Sequence, residues 1–405
     1  MTRTVRTPRT SNLLHSRNAT KPTARDSGSI DIRQSPNDEL TEAIEPLPNR
    51  HFHFQYIPEL DGFRGLAITL VVIGRYWEFH GSNSYARILA QRIAHLGVLL
   101  FFVLSGFLIT GLLYRERSLS GSISFKRFYT RRALRLLPAF FLFLSIVAVL
   151  MRLGLVTDVR RIEFLECLLY LRNIFGQSLS LGHIWSLSLE EQFYILWPIT
   201  FFLLPRKRAS TILVWVCIAF MVWRGAAIAL RLFSYDRGIF YVRPYFRFDS
   251  LLIGCLIALW LSSSPSTFAR LKKFAEGNWP PVLWVALFLW ATLGETISHA
   301  LHITISEILV ALVLSHVVLD SRSFMARVCR NHWLRYMGTI SYSLYLWQDL
   351  FISTDPPSWG MFRELPLAFV VPMTIAIASY QLLERPILQL KNQLAPEVPA
   401  AQLSS

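Results

Sequence analysis

Cysteine is scarce in this chain. The four present, Cys167, Cys217, Cys255 and Cys329, form neither a CxxC pair nor a Cys/His metal spacing, which argues against a disulfide framework and against a metal site. No glycine-rich loop of the Walker or Rossmann kind occurs, so the sequence does not read as a nucleotide-hydrolysing machine. It also lacks self-similarity at solenoid periods and any inverted repeat of the transporter type. Charge makes up only 17% of the residues, and acidic charge is the scarcer sign, 26 Asp+Glu against 41 Lys+Arg for a net charge of +15. On a soluble fold such a surplus would suggest nucleic acid as a partner. Here the basic residues gather at the ends of apolar runs, which points to membrane orientation and no nucleic acid.

What is abundant is apolar surface. Of the 405 residues, 53% are hydrophobic, and the mean hydropathy is +0.39, more apolar than a soluble domain tolerates. Runs of near 20 apolar residues, the length that crosses a hydrocarbon core of roughly 30 Å, recur from residue 65 almost to the end. They predict an all-α integral membrane protein, a bundle of about ten transmembrane helices. The helices begin near residues 65, 94, 136, 188, 211, 246, 281, 303, 336 and 365. The fourth is the most polar at its start, and Phe164 to Phe175 reads as a re-entrant or interfacial segment.

Residues 1–50 are rich in Arg, Thr, Ser, Asn and Pro and cannot bury enough surface to offset the entropy of ordering, so a disordered basic cytoplasmic tail is expected. It has no apolar signal-peptide core, so the first hydrophobic helix is expected to act as an uncleaved anchor. Residues 51–390 form the expected membrane domain and 391–405 a short polar tail. With the basic tail inside, the four cytoplasmic loops hold about 17 Lys and Arg against about 11 on the other side, which places both termini in the cytoplasm.

An ionisable side chain inside hydrocarbon costs several kcal/mol unless it is paired or faces a wet cavity. The short set of such residues is Arg64, Arg75, Glu78, Glu190, Glu191, Arg224, Asp249, Glu307 and Asp349. Those near span ends can snorkel to the interface without any function. Glu190 and Glu191 stand beside His183 and Tyr194, a group of acids, imidazole and phenol suited to acid–base work. The segment RFYTRRALRLLP carries Arg127, Arg131, Arg132 and Arg135; it reads either as positive-inside anchoring or as a site for a phosphorylated cofactor, because guanidinium forks match phosphate oxygens. Ser105, next to Gly106, reads as a close-packing surface between helices rather than a nucleophile.

These residues fall into seven segments: IPELDGFRGLAITLVVIG, GVLLFFVLSGFLIT, FYTRRALRLLP, GHIWSLSLEEQFYILWP, RFDSLLIG, ISYSLYLWQ and YQLLERP. In this order, from about Ile57 to Pro386, they resemble the acyltransferase-3 family, integral membrane O-acyltransferases of the O-antigen and polysaccharide acetylase type. The resemblance implies a ten-helix enzyme of a bacterial inner membrane. It would take an acyl group, commonly acetyl, from cytoplasmic acyl-CoA to a hydroxyl of a cell-envelope glycan or lipid-linked sugar, with no metal. Arg64 matches the family's first-helix arginine, Arg132 and Arg135 its basic pair, and Glu190 the glutamate of the WSL motif. The implied site is then Arg64, Arg75, His183 and Glu190 for catalysis, with Arg131, Arg132 and Arg135 for the CoA phosphates.

The family's first-helix histidine, usually taken as the base, is replaced by Arg75. A guanidinium with a pKa above about 12 is no base at neutral pH, though it can grip an anion. His80 is no substitute on an ideal helix, since five residues move it about 7.5 Å along the axis and about 140° around it. Leu99 and Gln348 stand where an aspartate and a histidine are usual. The alternative expectation is therefore a catalytically silent relative that binds or translocates a lipid-linked or acylated glycan.

Overall fold

The computed structural model describes residues 54, 56–175, 180–232, 242–263, 265–277, 279–293, 299–352 and 360–394. The tail expected at 1–50 lies outside the described residues, as do residues 395–405 of the tail expected at 391–405; residues 391–394 of that tail instead end the helix Arg385–Leu394. Every regular element among those described is helical.

Helix α1 (Pro58–His80) starts as its sequence dictates, with proline in the first turn and Glu59 and Asp61 facing the positive end of the helix dipole. Helix α2 (Ser84–Ser120) is capped by Asn83, which accepts from the Ala86 N–H at 2.8 Å, and ends at Gly121 with a φ of 75°, the left-handed stop that favours glycine. Its 37 residues make about 55 Å of helix, longer than the hydrocarbon is thick. Ser124 caps α3 (Phe125–Arg152), which follows α2 after a short turn. Two short helices, α4 (Arg161–Leu168) and α5 (Arg172–Phe175), lead to α6 (Ile184–Leu203) and α7 (Ala209–Ala229). Then come α8 (Pro244–Ser263), α9 (Pro265–Ala275), α10 (Pro280–Leu293), α11 (His299–Leu319), α12 (Phe324–Cys329), α13 (His332–Thr339), α14 (Ser341–Ile352), α15 (Gly360–Arg363) and α16 (Leu367–Ser379). A π-helical turn at Tyr380–Glu384 continues α16 into α17 (Arg385–Leu394).

Six helices among the described residues are long and apolar enough to cross a membrane: Ser84–Ser120, Phe125–Arg152, Ala209–Ala229, Pro244–Ser262, Leu301–Leu319 and Leu367–Leu390. The chain is thus an all-helical integral membrane protein, and the expected count of about ten is not confirmed. The shortfall has local causes. Helix α1 has the length but carries Asp61, Arg64, Arg75 and Glu78, and α6 opens on Glu190, Glu191 and Gln192. The apolar run near 281 gives only 14 residues of helix. The run near 336 is broken at Ile340 into α13 and α14.

Helix α2 is the central post: 78% of its most apolar stretch is buried, against 17% for α7, which lies at the periphery. Its approach to α8 is reciprocal. A Cβ on Gly106 would stand 1.9 Å from the Leu251 carbonyl oxygen, and one on Gly254 2.0 Å from that of Val103. The Ser-Gly pair is therefore half a packing surface, as the sequence suggests, through its glycine. Valine at either glycine is expected to force the helices apart, a large destabilisation readable as a lowered unfolding temperature in detergent; an unchanged melt would show that this contact is dispensable.

The segment from Phe164 to Phe175 is α4, a tight turn and α5 rather than a span. Arg172, buried there, pairs with Glu163 at 3.4 Å and Glu166 at 3.0 Å. Burial pushes the Glu163 carboxyl up, but the Arg160 main-chain N–H and the Arg172 guanidinium outweigh it and leave its pKa below the ordinary value. Arg172 is thus locally neutralised, which lessens the weight of this loop's arginines in the charge asymmetry that predicts orientation.

Candidate active site

On α3 the spacing of Arg127, Arg131, Arg132 and Arg135 places them along one helix face. That face, with Arg115 and Glu116 of α2, forms one wall of a cavity of about 400 Å³. Arg64 of α1 and Glu190 of α6 line the same space. Six arginines (64, 115, 127, 131, 132, 135) therefore meet two carboxylates (116, 190) around it, and one of the latter is engaged, since Glu116 Oε1 lies 3.6 Å from Arg127 Nη1. Arg135 is exposed to the cavity. Such a surplus of guanidinium in a bounded, partly apolar space is built for a polyanion with an apolar portion. The apolar wall is supplied by Leu108, Ile109 and Leu112 of α2.

The cavity also reaches Ser105, Glu190 and Tyr194. Ser105 Oγ donates to Glu190 Oε1 at 3.1 Å, and Tyr194 Oη to Oε2 at 3.3 Å. The Arg132 guanidinium stacks 3.1 Å from the centre of the Tyr194 ring. Helix α6 is held in register by Trp197, whose indole N–H donates to Thr110 Oγ1 at 2.9 Å. Helix α14 is held by Tyr342, whose hydroxyl donates to the Leu136 carbonyl at 3.0 Å.

Arg75 and His183 belong to a neighbouring group. The Arg75 fork grips Asp349 through Nε at 3.2 Å and Nη2 at 3.1 Å, while Nη1 reaches Glu78 at 2.6 Å. His183 Nδ1 lies 3.2 Å from Asp349 Oδ2, off the line of a straight hydrogen bond, and its Nε2 has no hydrogen-bond partner among the described residues. Two hydroxyls separate this group from the cavity. Ser186 Oγ and Tyr345 Oη line the cavity and stand 2.5 Å apart, so one donates to the other; both lie within hydrogen-bond reach of the His183 carbonyl, at 3.3 and 2.9 Å.

Of the residues singled out in the sequence, Arg64, Arg131, Arg132, Arg135 and Glu190 thus share one cavity, whereas Arg75 and His183 meet at Asp349 beside it. The structure adds Ser105, Ser186, Tyr345 and Asp349. Ser105 shows that the Ser-Gly pair has two faces, glycine against α8 and serine toward Glu190. Asp349 carried a signal already, as an acid in an apolar run. Gln348, where a histidine is usual, is wholly buried and its amide has no hydrogen-bond partner among the described residues; Leu99 lies in the apolar core. The other intramembrane charges, Arg224, Asp249 and Glu307, line no part of the cavity. They form a separate buried cluster, with Arg224 Nη2 at 2.9 Å from Asp249 and 3.7 Å from Glu307. Among the described residues no group of His, Cys, Asp and Glu could hold a metal ion.

A helical membrane bundle around an arginine-rich cavity with an acid, two hydroxyls and an imidazole nearby defines a class of membrane proteins that handle an anionic, partly apolar ligand. The chain belongs to the acyltransferase-3 family, whose acyltransferase domain matches residues 57–380. It is 30% identical over 369 residues to YrhL of Bacillus subtilis, provisionally named a peptidoglycan O-acetyltransferase, covering 83% of this chain and 55% of the relative. It is 26% identical over 368 residues to the peptidoglycan O-acetyltransferase OatA of Listeria monocytogenes, covering 82% of this chain and 56% of OatA. The chain spans little more than half the length of these relatives. No solved structure matches it.

Proposed function

We propose that the protein is a membrane O-acyltransferase of the bacterial inner membrane, with both termini in the cytoplasm. It would transfer an acyl group, by preference acetyl, from acyl-CoA to a hydroxyl of a cell-envelope glycan or lipid-linked sugar. The observation that carries this reading is the cavity: a row of arginines on α3 leading along an apolar wall to Ser105 and Glu190. The CoA phosphates would lie against Arg131, Arg132 and Arg135, and the thioester would reach Glu190. Arg64 would stabilise the negative charge that develops on the carbonyl oxygen. The acceptor hydroxyl must give up a proton as it attacks, and His183 and Glu190 are the candidate bases. The printed names of the relatives, peptidoglycan O-acetyltransferases, support a glycan acceptor.

Purified protein given labelled acetyl-CoA and peptidoglycan fragments should show transfer above background. Glu190→Gln should reduce it by at least about 100-fold while the labelled donor still binds. No transfer to a broad acceptor panel would defeat the reading. A second reading, binding or translocation without transfer, rests on Arg75 standing where the family has its histidine. It predicts that a cellular phenotype survives Glu190→Gln at normal protein level.

A further inference from the structure

We propose that Asp349 is a positioning residue that holds the His183 imidazole as the general base, and that Arg75 acts through Asp349 rather than on the substrate. The inference rests on the acyltransferase reading and assigns the proton transfer within it.

Three observations converge on it. First, His183 is 4% exposed and its Nε2 has no hydrogen-bond partner among the described residues. A neutral imidazole nitrogen that faces no described donor is chemically able to take a proton from a hydroxyl that reaches it. Second, the other ring nitrogen, Nδ1, lies 3.2 Å from Asp349, a carboxylate that is wholly buried. A carboxylate at Nδ1 selects the tautomer with the proton on Nδ1 and leaves the Nε2 lone pair free to accept. A contact of this length can straighten as substrate binds. Third, Asp349 cannot swing away, because Arg75 holds both its oxygens in a fork, at 3.2 and 3.1 Å, and is itself fixed by Glu78 at 2.6 Å. Arg75 therefore has its guanidinium committed to two carboxylates, which leaves it poorly placed to serve an oxyanion. Each Glu190 oxygen already accepts from a hydroxyl, whereas no described residue bonds His183 Nε2, so of the two candidate bases His183 is the one whose acceptor is not already engaged.

The step balances. The acceptor O–H gives its proton to His183 Nε2 as its oxygen bonds to the thioester carbonyl carbon. The tetrahedral intermediate collapses with breakage of the C–S bond, and the departing CoA sulfur takes the proton back from Nε2. Nδ1 keeps its proton throughout, facing Asp349. The His183 backbone carbonyl, held by Tyr345 and Ser186, sets the ring beside the cavity without a place in its lining.

The test is a set of variants of the full chain assayed with acetyl-CoA and a glycan acceptor. Asp349→Asn, isosteric but uncharged, should lower kcat by about 100-fold or more while KM for acetyl-CoA stays within about 2-fold, because Asp349 lies outside the donor cavity. Asp349→Glu should recover part of the loss, whereas a residue that only fills space would tolerate asparagine better than glutamate. Arg75→Met should also lower kcat, and Arg75→Met combined with Asp349→Asn should fall no lower than Asp349→Asn alone. Melting in detergent identifies any variant that fails to fold, and the Asn-against-Glu comparison among folded variants then decides. Wild-type kcat in folded Asp349→Asn overturns the proposal while the acyltransferase reading stands, as do losses that multiply in the double variant. No transfer by the unaltered protein defeats that reading and this proposal together.

Discussion

Methionine at both Arg132 and Arg135 is expected to raise the acetyl-CoA concentration needed for half-maximal transfer by about 10²–10⁴-fold. The figure follows from about 1.5–3 kcal/mol for each hydrogen bond to a charged group, at 1.4 kcal/mol per factor of ten. Both side chains line the cavity, and methionine keeps most of their length and apolar stem without the charge. Direct binding of labelled acetyl-CoA to detergent-solubilised protein separates this loss from any effect on chemistry. Arg132 also stacks on Tyr194, so Arg135→Met alone isolates the phosphate contribution. If the donor bound equally well to the double variant, the cavity would not be the CoA site.

The second large effect concerns stability. Arg224 sits among α7, α8 and α11 with no exposed surface. It donates to the Phe246 carbonyl at 2.6 Å and to Thr304 Oγ1 at 2.6 Å besides its contacts to Asp249 and Glu307. Glu307 has one further guanidinium within reach, Arg247 at 3.7 Å, and accepts from Ser250. Arg224→Leu would leave two buried carboxylates with Arg247 as their one cation among the described residues. Breaking a buried ion pair by removing one partner costs about 3–5 kcal/mol, comparable with the whole stability of a small domain. The expected result is protein that fails to accumulate, or that unfolds at a much lower temperature in detergent. An Arg224→Leu protein that melts with the parent would show that water or lipid headgroups satisfy those carboxylates. Because the cluster lines no part of the cavity, a mild variant such as Arg224→Lys should lower the melt more than it lowers donor affinity.

Much of this was legible in the sequence, for physical reasons tied to short range. Apolar runs located the helices because hydrophobic length is a local property. The starts expected near 65, 94 and 136, however, lie inside helices that begin at Pro58, Ser84 and Phe125, where proline, Asn83 and Ser124 set the first turn. The arginines of α3 share a face because helical geometry alone maps their spacing onto one side. The Ser-Gly pair was readable as a packing surface through its glycine, and the glutamates of α6 as candidates because an acid in an apolar run demands a reason. Less legible was how many runs cross. Apolar length near residue 336 does not reveal the break at Ile340, and the charges of α1 and α6 make those helices dependent on neighbours rather than on lipid.

Composition and local pattern by themselves determined an all-helical membrane chain and the row of cations on α3, and the resemblance of seven ordered segments implied the family. Only the tertiary structure decided which charges meet. Arg75, His183 and Asp349 lie far apart along the chain, on α1, at the start of α6 and on α14, and no periodicity encodes their distances. In water three such groups would be solvated independently. Inside a packed bundle they must find one another, since an unpaired charge there costs more than most single contacts return.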